Sequence, residues 1–163
     1  MTTAMSHDSA MPTGDTSNTR SYRTIVVKLG GSLLDLPDLA DRLQVRISAL
    51  RTPRIILVIG GGTAADLVRR RDKFDMLGHD KSHWLAIRAM TFNSFLVEAL
   101  LPNSTVAQSV AECQVAWEAG RVPILDPHAF MLHDDATSRW PLPHSWSVTS
   151  DSIAVRVAEA SEA

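Results

Sequence analysis

Cysteine is nearly absent from this sequence. Cys113 stands alone, so neither an internal disulfide nor a multi-cysteine zinc site can form, and that composition suits a reducing compartment. A lone thiol of this kind is expected to be a buried, inert packing group. An excess of positive charge is also missing: 16 Lys and Arg stand against 18 Asp and Glu, for a net charge of −2. Without a basic footprint, small molecules or other proteins are favoured partners over nucleic acid or an anionic membrane. The longest apolar run, RIILVIGGG, stops at its glycines, well short of the roughly eighteen residues that mark a membrane helix. Residues 1–21, rich in Ser, Thr, Asp and Gly, lack the apolar core of a secretory signal. They are expected to form a disordered leader ahead of one domain over 22–163, in a soluble, cytoplasmic protein.

What is present alternates between two patterns. Continuous apolar segments at 23–29, 54–60 (RIILVIG), 104–108 (STVAQ) and 122–125 (VPIL) are expected strands. Between them lie segments of helical period. Leu36, Leu39, Leu43, Ile47 and Leu50 recur at three and four residues, TAADLVRRR (63–71) starts directly after three glycines, and QSVAECQVAWEAG closes on Gly120. A polar link at 72–80 leads to a long helix over 81–101, carried by Trp84, Ile87, Phe95 and Leu96. The stretch 126–146 holds three prolines and is expected to be loop, with at most a short extended piece. A last helix follows Thr149, Ser150 and Asp151, all good N-cap residues. Strands apolar on both faces and alternating with helices imply an α/β fold, with a mostly parallel sheet covered by helices on each side.

In such a sheet, ligands bind where strands end and helices begin. Both glycine clusters fall there: Gly30, Gly31 and Ser32 after the first strand, and Gly60, Gly61 and Gly62 after the second. Side-chain-free turns let backbone N–H groups close on an anion, and a following helix N-terminus adds partial positive charge, so phosphate is the natural ligand. Glycines that merely permit tight turns are the alternative. Neither cluster has the spacing of a Walker A loop or of a dinucleotide-binding fingerprint. Lys28 lies in the last residues of an otherwise apolar strand, where an ammonium needs an anionic partner or a route to solvent. Its chemical reading is a point charge that meets a phosphoryl group in transfer. His128, His133, Asp134 and Asp135 share a Pro-rich stretch without an established ligand spacing, so no metal site is assigned. The run Arg69 to Arg71 is expected to end a helix and face solvent.

KLGGSLL, VIGGGTAAD and SWSVTSDSIAVRVA together resemble the amino acid kinase superfamily, which includes acetylglutamate, carbamate, aspartate, uridylate and isopentenyl phosphate kinases. The His83–Trp84 pair and PLPHSWSVTSDSIA are similar to the branch that phosphorylates an aminomethyl-furan-methyl phosphate in methanofuran biosynthesis. The resemblance implies a three-layer α/β/α sandwich and an ATP- and Mg²⁺-dependent phosphotransferase acting on a small phosphate- or carboxylate-bearing acceptor. It implies that Lys28 contacts the phosphoryl group in flight and that Asp151 holds the active-site lysines in place. It also implies that Gly30, Gly31 and Ser32 line the terminal phosphates, and that Gly60, Gly61 and Gly62 face the acceptor, with Thr149 and Ser150 beside Asp151. His83, Trp84, His144 and Trp146 are candidates for the acceptor pocket.

The same resemblance implies a second phosphate-contacting lysine and an adenine pocket beyond the TSD helix, yet no lysine follows Lys81. The sequence is therefore expected to carry the N-terminal part of the fold only. Phosphoryl transfer depends on positioning and charge neutralisation, so activity of the chain alone is expected to be very weak or absent. A sheet lacking strands would expose an edge, which invites a homo-oligomer or a complementing C-terminal polypeptide. The competing reading is a non-catalytic small-molecule-binding or assembly module derived from such a kinase.

Overall fold

Two runs of β-branched residues, Ile25–Leu29 (β1) and Ile55–Ile59 (β2), pair in parallel with Ile25 opposite Ile55 and Leu29 opposite Ile59. This register delivers both glycine clusters to one end of the sheet. The computed structural model describes residues 23–163 apart from 51 and 53, so the leader expected over 1–21 lies outside the described residues. Ser104–Ala107 (β3) and Val122–Leu125 (β4) complete a four-stranded, all-parallel sheet in the order β1-β2-β4-β3. Every residue of the central strand β2 is buried, because helices cover both of its faces.

The helices are Leu39–Ala49 (α1), Gly62–Asp75 (α2), His79–Leu100 (α3), Val110–Glu118 (α4), Pro127–Thr137 (α5) and Ser150–Ala160 (α6). Alternation along β2 divides the core in two. Ile56 and Val58 pack with Ile87 and Met90 of α3, Cys113 of α4, Phe130 of α5 and Ile153 of α6. Ile55, Leu57 and Ile59 pack with Leu39, Leu43 and Ile47 of α1 and with Val97 of α3. This is the expected three-layer α/β/α arrangement. Cys113 is fully buried, and its thiol is pushed up to about 12, first by desolvation and then by Glu112, which fits the inert packing role.

Two expectations need correction. The stretch 126–146 is not mainly loop, since α5 occupies Pro127–Thr137. Proline there starts the helix rather than breaking it: Pro127 sits in the first turn, where its missing N–H is not needed, and the Asp126 carboxylate accepts from the His128 and Ala129 N–H groups. The polar link is also shorter than expected. α2 runs on to Asp75, Met76 adopts a left-handed conformation with φ 49°, and α3 begins at His79 after Gly78. Of the four residues marking α3, Ile87 is buried and Trp84 half-buried, whereas Phe95 and Leu96 face outward.

The middle of α3 crosses the carboxyl ends of the strands, and its polar residues are fitted to that position. Asn93 reaches the Gly60 and Gly61 carbonyls, Ser94 donates to the Leu125 carbonyl at 3.1 Å, and Thr91 donates to the Asp126 carboxylate. Each satisfies a buried backbone or cap group that the end of a strand leaves open. Arg156 of α6 locks that helix to α5 through Asp134, 2.9 Å away, and also bonds Ser138 and the Trp140 carbonyl.

Candidate active site

The two glycine turns interlock. A Cβ placed on Gly31 would lie 2.0 Å from the Gly62 nitrogen and 2.9 Å from the Gly60 carbonyl oxygen, and one on Gly62 would lie 2.6 Å from the Gly31 carbonyl oxygen. Only glycine permits such an approach, and Gly62 also has φ +48°, a left-handed conformation. Gly60 continues the sheet by donating to the Leu29 carbonyl at 2.8 Å. After Gly30 the chain coils into a short 3₁₀ turn, Gly31–Asp35, while α2 starts at Gly62 with no side chain capping its first N–H groups. Those donors and the helix dipole face the shared turn.

Asn93, which is 4% exposed, donates from one amide nitrogen to both Gly60 O (2.8 Å) and Gly61 O (2.9 Å). It holds the second turn from below. The third approach is α6, whose start is built by a capping box: Thr149 accepts from the first-turn backbone, and Ser152 accepts from the Thr149 N–H. Ser150 then places its hydroxyl 3.2 Å from where a Gly60 Cβ would stand. Asp151, in the first turn, meets Lys28 across the site at 3.2 Å. Lys28 is not entombed; its side chain is 30% exposed, and its ammonium lies 4.0 Å from a Cβ built on Gly30. The strand-end lysine thus has both an anionic partner and a route to solvent.

From this junction a cleft of about 190 Å³ runs along α3. Gly31, Gly61 and Gly62 form one end, Ile87, Met90 and Ile153 give it an apolar wall, and His83 stands further along. The segment after α5 closes over it as a strap. Trp146 donates to Asp72 of α2 at 2.7 Å, and the Arg69 guanidinium lies 4.7 Å over its ring. Asp72 is held below the usual carboxylate range, first by that indole hydrogen bond. Arg69 therefore lines the cleft, paired with Asp66 at 2.5 Å, with its side chain 48% exposed; the Arg69 to Arg71 run faces solvent as expected, but α2 continues past it to Asp75.

His144 fastens the strap at its other end. Its Nδ1 lies 2.6 Å from Asp80 and its Nε2 lies 2.5 Å from Asp135. Desolvation is the largest single influence on His144 and lowers its pKa, but the hydrogen bonds and charges of the two carboxylates outweigh it, so the net shift is upward. His83 stacks on His144 with ring centroids 4.8 Å apart. It is 3% exposed, and its pKa is lowered, first by burial and then by the charge on His144.

Residues 23–163 match the family model of the amino acid kinase family. The chain belongs to that family. It is 29% identical, over 133 residues, to the (5-(aminomethyl)furan-3-yl)methyl phosphate kinase of Methanocaldococcus jannaschii, an alignment covering 81% of this chain and 58% of that protein. Among solved structures, the uridylate kinase of Archaeoglobus fulgidus superposes with a TM-score of 0.58 at 19% identity, covering 86% of this chain and 60% of that one. The UMP kinase of Ureaplasma parvum gives 0.62 at 18% identity, covering 88% and 64%. These superpositions support the same fold, and the chain spans about three fifths of the length of such family members.

Within this member of the family, Lys28, Asp151, Ser150 and the five glycines and one serine of the two turns gather at one end of the sheet. His83, Trp146, Thr149 and Ser150 line the cleft. Trp84 does not; it stands edge-on to His83 and His144 and opens on a separate groove with Asp80, Lys81, Leu85, Arg88 and His128. His128 has a lowered pKa, first from burial and then from Arg88. Asn93 and Arg69 lie outside the site residues that the sequence indicates. A polar residue in the middle of an apolar helix was the available signal for the first; the second was hidden in an ordinary charge run.

Proposed function

We propose that the chain is the acceptor-binding part of an ATP-dependent, Mg²⁺-requiring phosphotransferase that acts on a small phosphate- or carboxylate-bearing acceptor. The observation that carries this reading is the junction of two glycine turns, the uncapped start of α2 and the first turn of α6 around the Lys28 ammonium. Such a cradle suits an anion, and a cleft leads away from it with room for a metabolite.

In a transfer at this junction, an acceptor oxygen forms a bond to the phosphorus while the bond to the donor's bridging oxygen breaks, and charge is spread over the remaining phosphoryl oxygens. Lys28 would neutralise part of that charge, and Asp151 would hold the ammonium in position. Gly30, Gly31 and Ser32 would lie against the terminal phosphates, and Gly60, Gly61 and Gly62 against the acceptor. When bound, Mg²⁺ screens the phosphates. The donors around Lys28 fit a phosphate; neither the chain's lysines nor the described clefts offer a second ammonium beside it or an evident base pocket. Association with a second copy or a complementing polypeptide is part of the proposal, and the outward-facing Phe92, Phe95 and Leu96 of α3 support it. A cytoplasmic setting fits the lone buried cysteine.

The test is ADP formation from Mg-ATP in the presence of (5-(aminomethyl)furan-3-yl)methyl phosphate or simple carboxylate acceptors, with Lys28→Ala as control. Transfer that disappears in the variant supports the kinase. Calorimetric binding of an acceptor without any transfer leaves the binding-module reading instead.

A further inference from the structure

The cleft wall contains a buried ring with an unanswered nitrogen. His83 is 3% exposed, and its Nε2 is buried without a partner among the described residues. A buried polar atom left open loses its hydration with nothing in return, so one that lines a cleft is a place where a ligand atom bonds. The surrounding charges indicate which kind. Asp80 and Asp135 share the single His144 ring, Arg69 is already matched by Asp66, and the second oxygen of Asp135 is buried without a partner as well. The carboxylates of Asp80 and Asp135 both meet His144, so an anion placed beside His83 would face two carboxylates.

Resting on the kinase reading, we propose that His83 Nε2 accepts a hydrogen bond from a primary amine carried by the acceptor, at the end opposite its phosphorylated group. Spacing agrees with a short molecule. Asn93, which holds the glycine junction, and His83 are ten residues apart on one helix, or about 15 Å along its axis, and both side chains lean toward the helix N-terminus. Met90, nearer the junction in the cleft wall, is about 10 Å from His83 by the same measure. An acceptor of that length, with an apolar ring against Ile87 and Met90, would reach both ends.

Four probes separate the two readings: (5-(aminomethyl)furan-3-yl)methyl phosphate, its 5-methyl counterpart, and the phosphate-free alcohols of both. The full chain should bind the amine phosphate about 10- to 100-fold more tightly than the methyl phosphate by calorimetry, and His83→Phe should abolish that preference. In the unsubstituted chain, the ¹⁵N resonance of His83 Nε2 should shift on adding the amine and not the methyl compound, a readout that needs no variant to fold. Equal affinities, an amine preference that survives in His83→Phe, or no binding of any probe would each overturn the proposal. An amine preference shown equally by the phosphate-free alcohols supports it while removing the phosphate end on which the kinase reading depends.

Discussion

Lys28 Nζ lies 3.2 Å from an oxygen of Asp151, joining the end of β1 to the first turn of α6 across 123 residues of sequence. The pair is partly solvated, with the Asp151 side chain 71% exposed, so its worth to folding is at most about 1 kcal/mol. Its placement beside the glycine junction argues for a different use. On the proposed kinase reading, Lys28→Ala should lower whatever phosphoryl transfer the chain supports, alone or with its partner, about 10²- to 10³-fold while moving the thermal midpoint by no more than about 4 °C. Asp151→Asn should also lower the rate, because the ammonium loses the group that holds it. A Lys28→Ala midpoint that falls by far more would make the pair structural.

The interlock of the two turns predicts sharply unequal effects at neighbouring glycines. In Gly31→Ala the new methyl would sit 2.0 Å from backbone nitrogen, which cannot swing aside, so the turns must separate. The cost should be about 3 kcal/mol or more in urea unfolding. In Gly30→Ala the nearest atoms are 3.9 Å and 4.0 Å away, so folding should be unchanged. That methyl would nevertheless stand beside the Lys28 ammonium, so phosphate-compound binding should weaken. Equal stability losses at the two positions would contradict the described contact.

Asn93→Ala should leave the carbonyls of Gly60 and Gly61 without their shared donor. With the Gly60 carbonyl buried and that of Gly61 partly buried, the loss should be about 2 kcal/mol, readable as a lowered urea midpoint at constant slope. Asn93→Asp should be worse at pH 7 than at pH 4, because a carboxylate would face two carbonyl oxygens and its protonated form could still donate once. A pH-independent difference between the two variants would count against this geometry.

These residues also explain what could be read from sequence. The strands, the parallel sheet and the position of both glycine clusters follow from local pattern: apolar runs on both faces, each stopping at Gly. Helix α5 was obscured because Pro127 was counted as a breaker, although an Asp–Pro step followed by buried Phe130 and Met131 is a helix start with a core face. The strap over the cleft had no local signature. Its anchors pair His144 with Asp80 and Trp146 with Asp72, separated by 64 and 74 residues, so only the folded chain brings them together. Asn93 is similar: its partners are strand ends, and helical periodicity carries no information about them.

The strap should make stability depend on pH through His144. Its folded-state pKa is raised above the ordinary 6.5, so folding takes up protons there, and the stabilisation is fully present below about 6.5 and lost as pH rises through the raised value. His83 and His128 have lowered values, so each contributes in the opposite sense, favouring the folded state as pH rises past its depressed value toward 6.5. The whole-chain profile mixes these, and the difference between unsubstituted chain and His144→Ala isolates the first. Measured by urea unfolding from pH 5 to 8.5, that difference should be largest at the acid end and shrink toward the alkaline end. Part of it will be offset, because removing the His144 charge also relieves His83, whose pKa should rise in the variant. NMR titration of His83 in both proteins checks this coupling directly. A stability difference that grows with pH would mean that His144 is held as a neutral ring, and that Asp80 and Asp135 do not fasten the strap by charge.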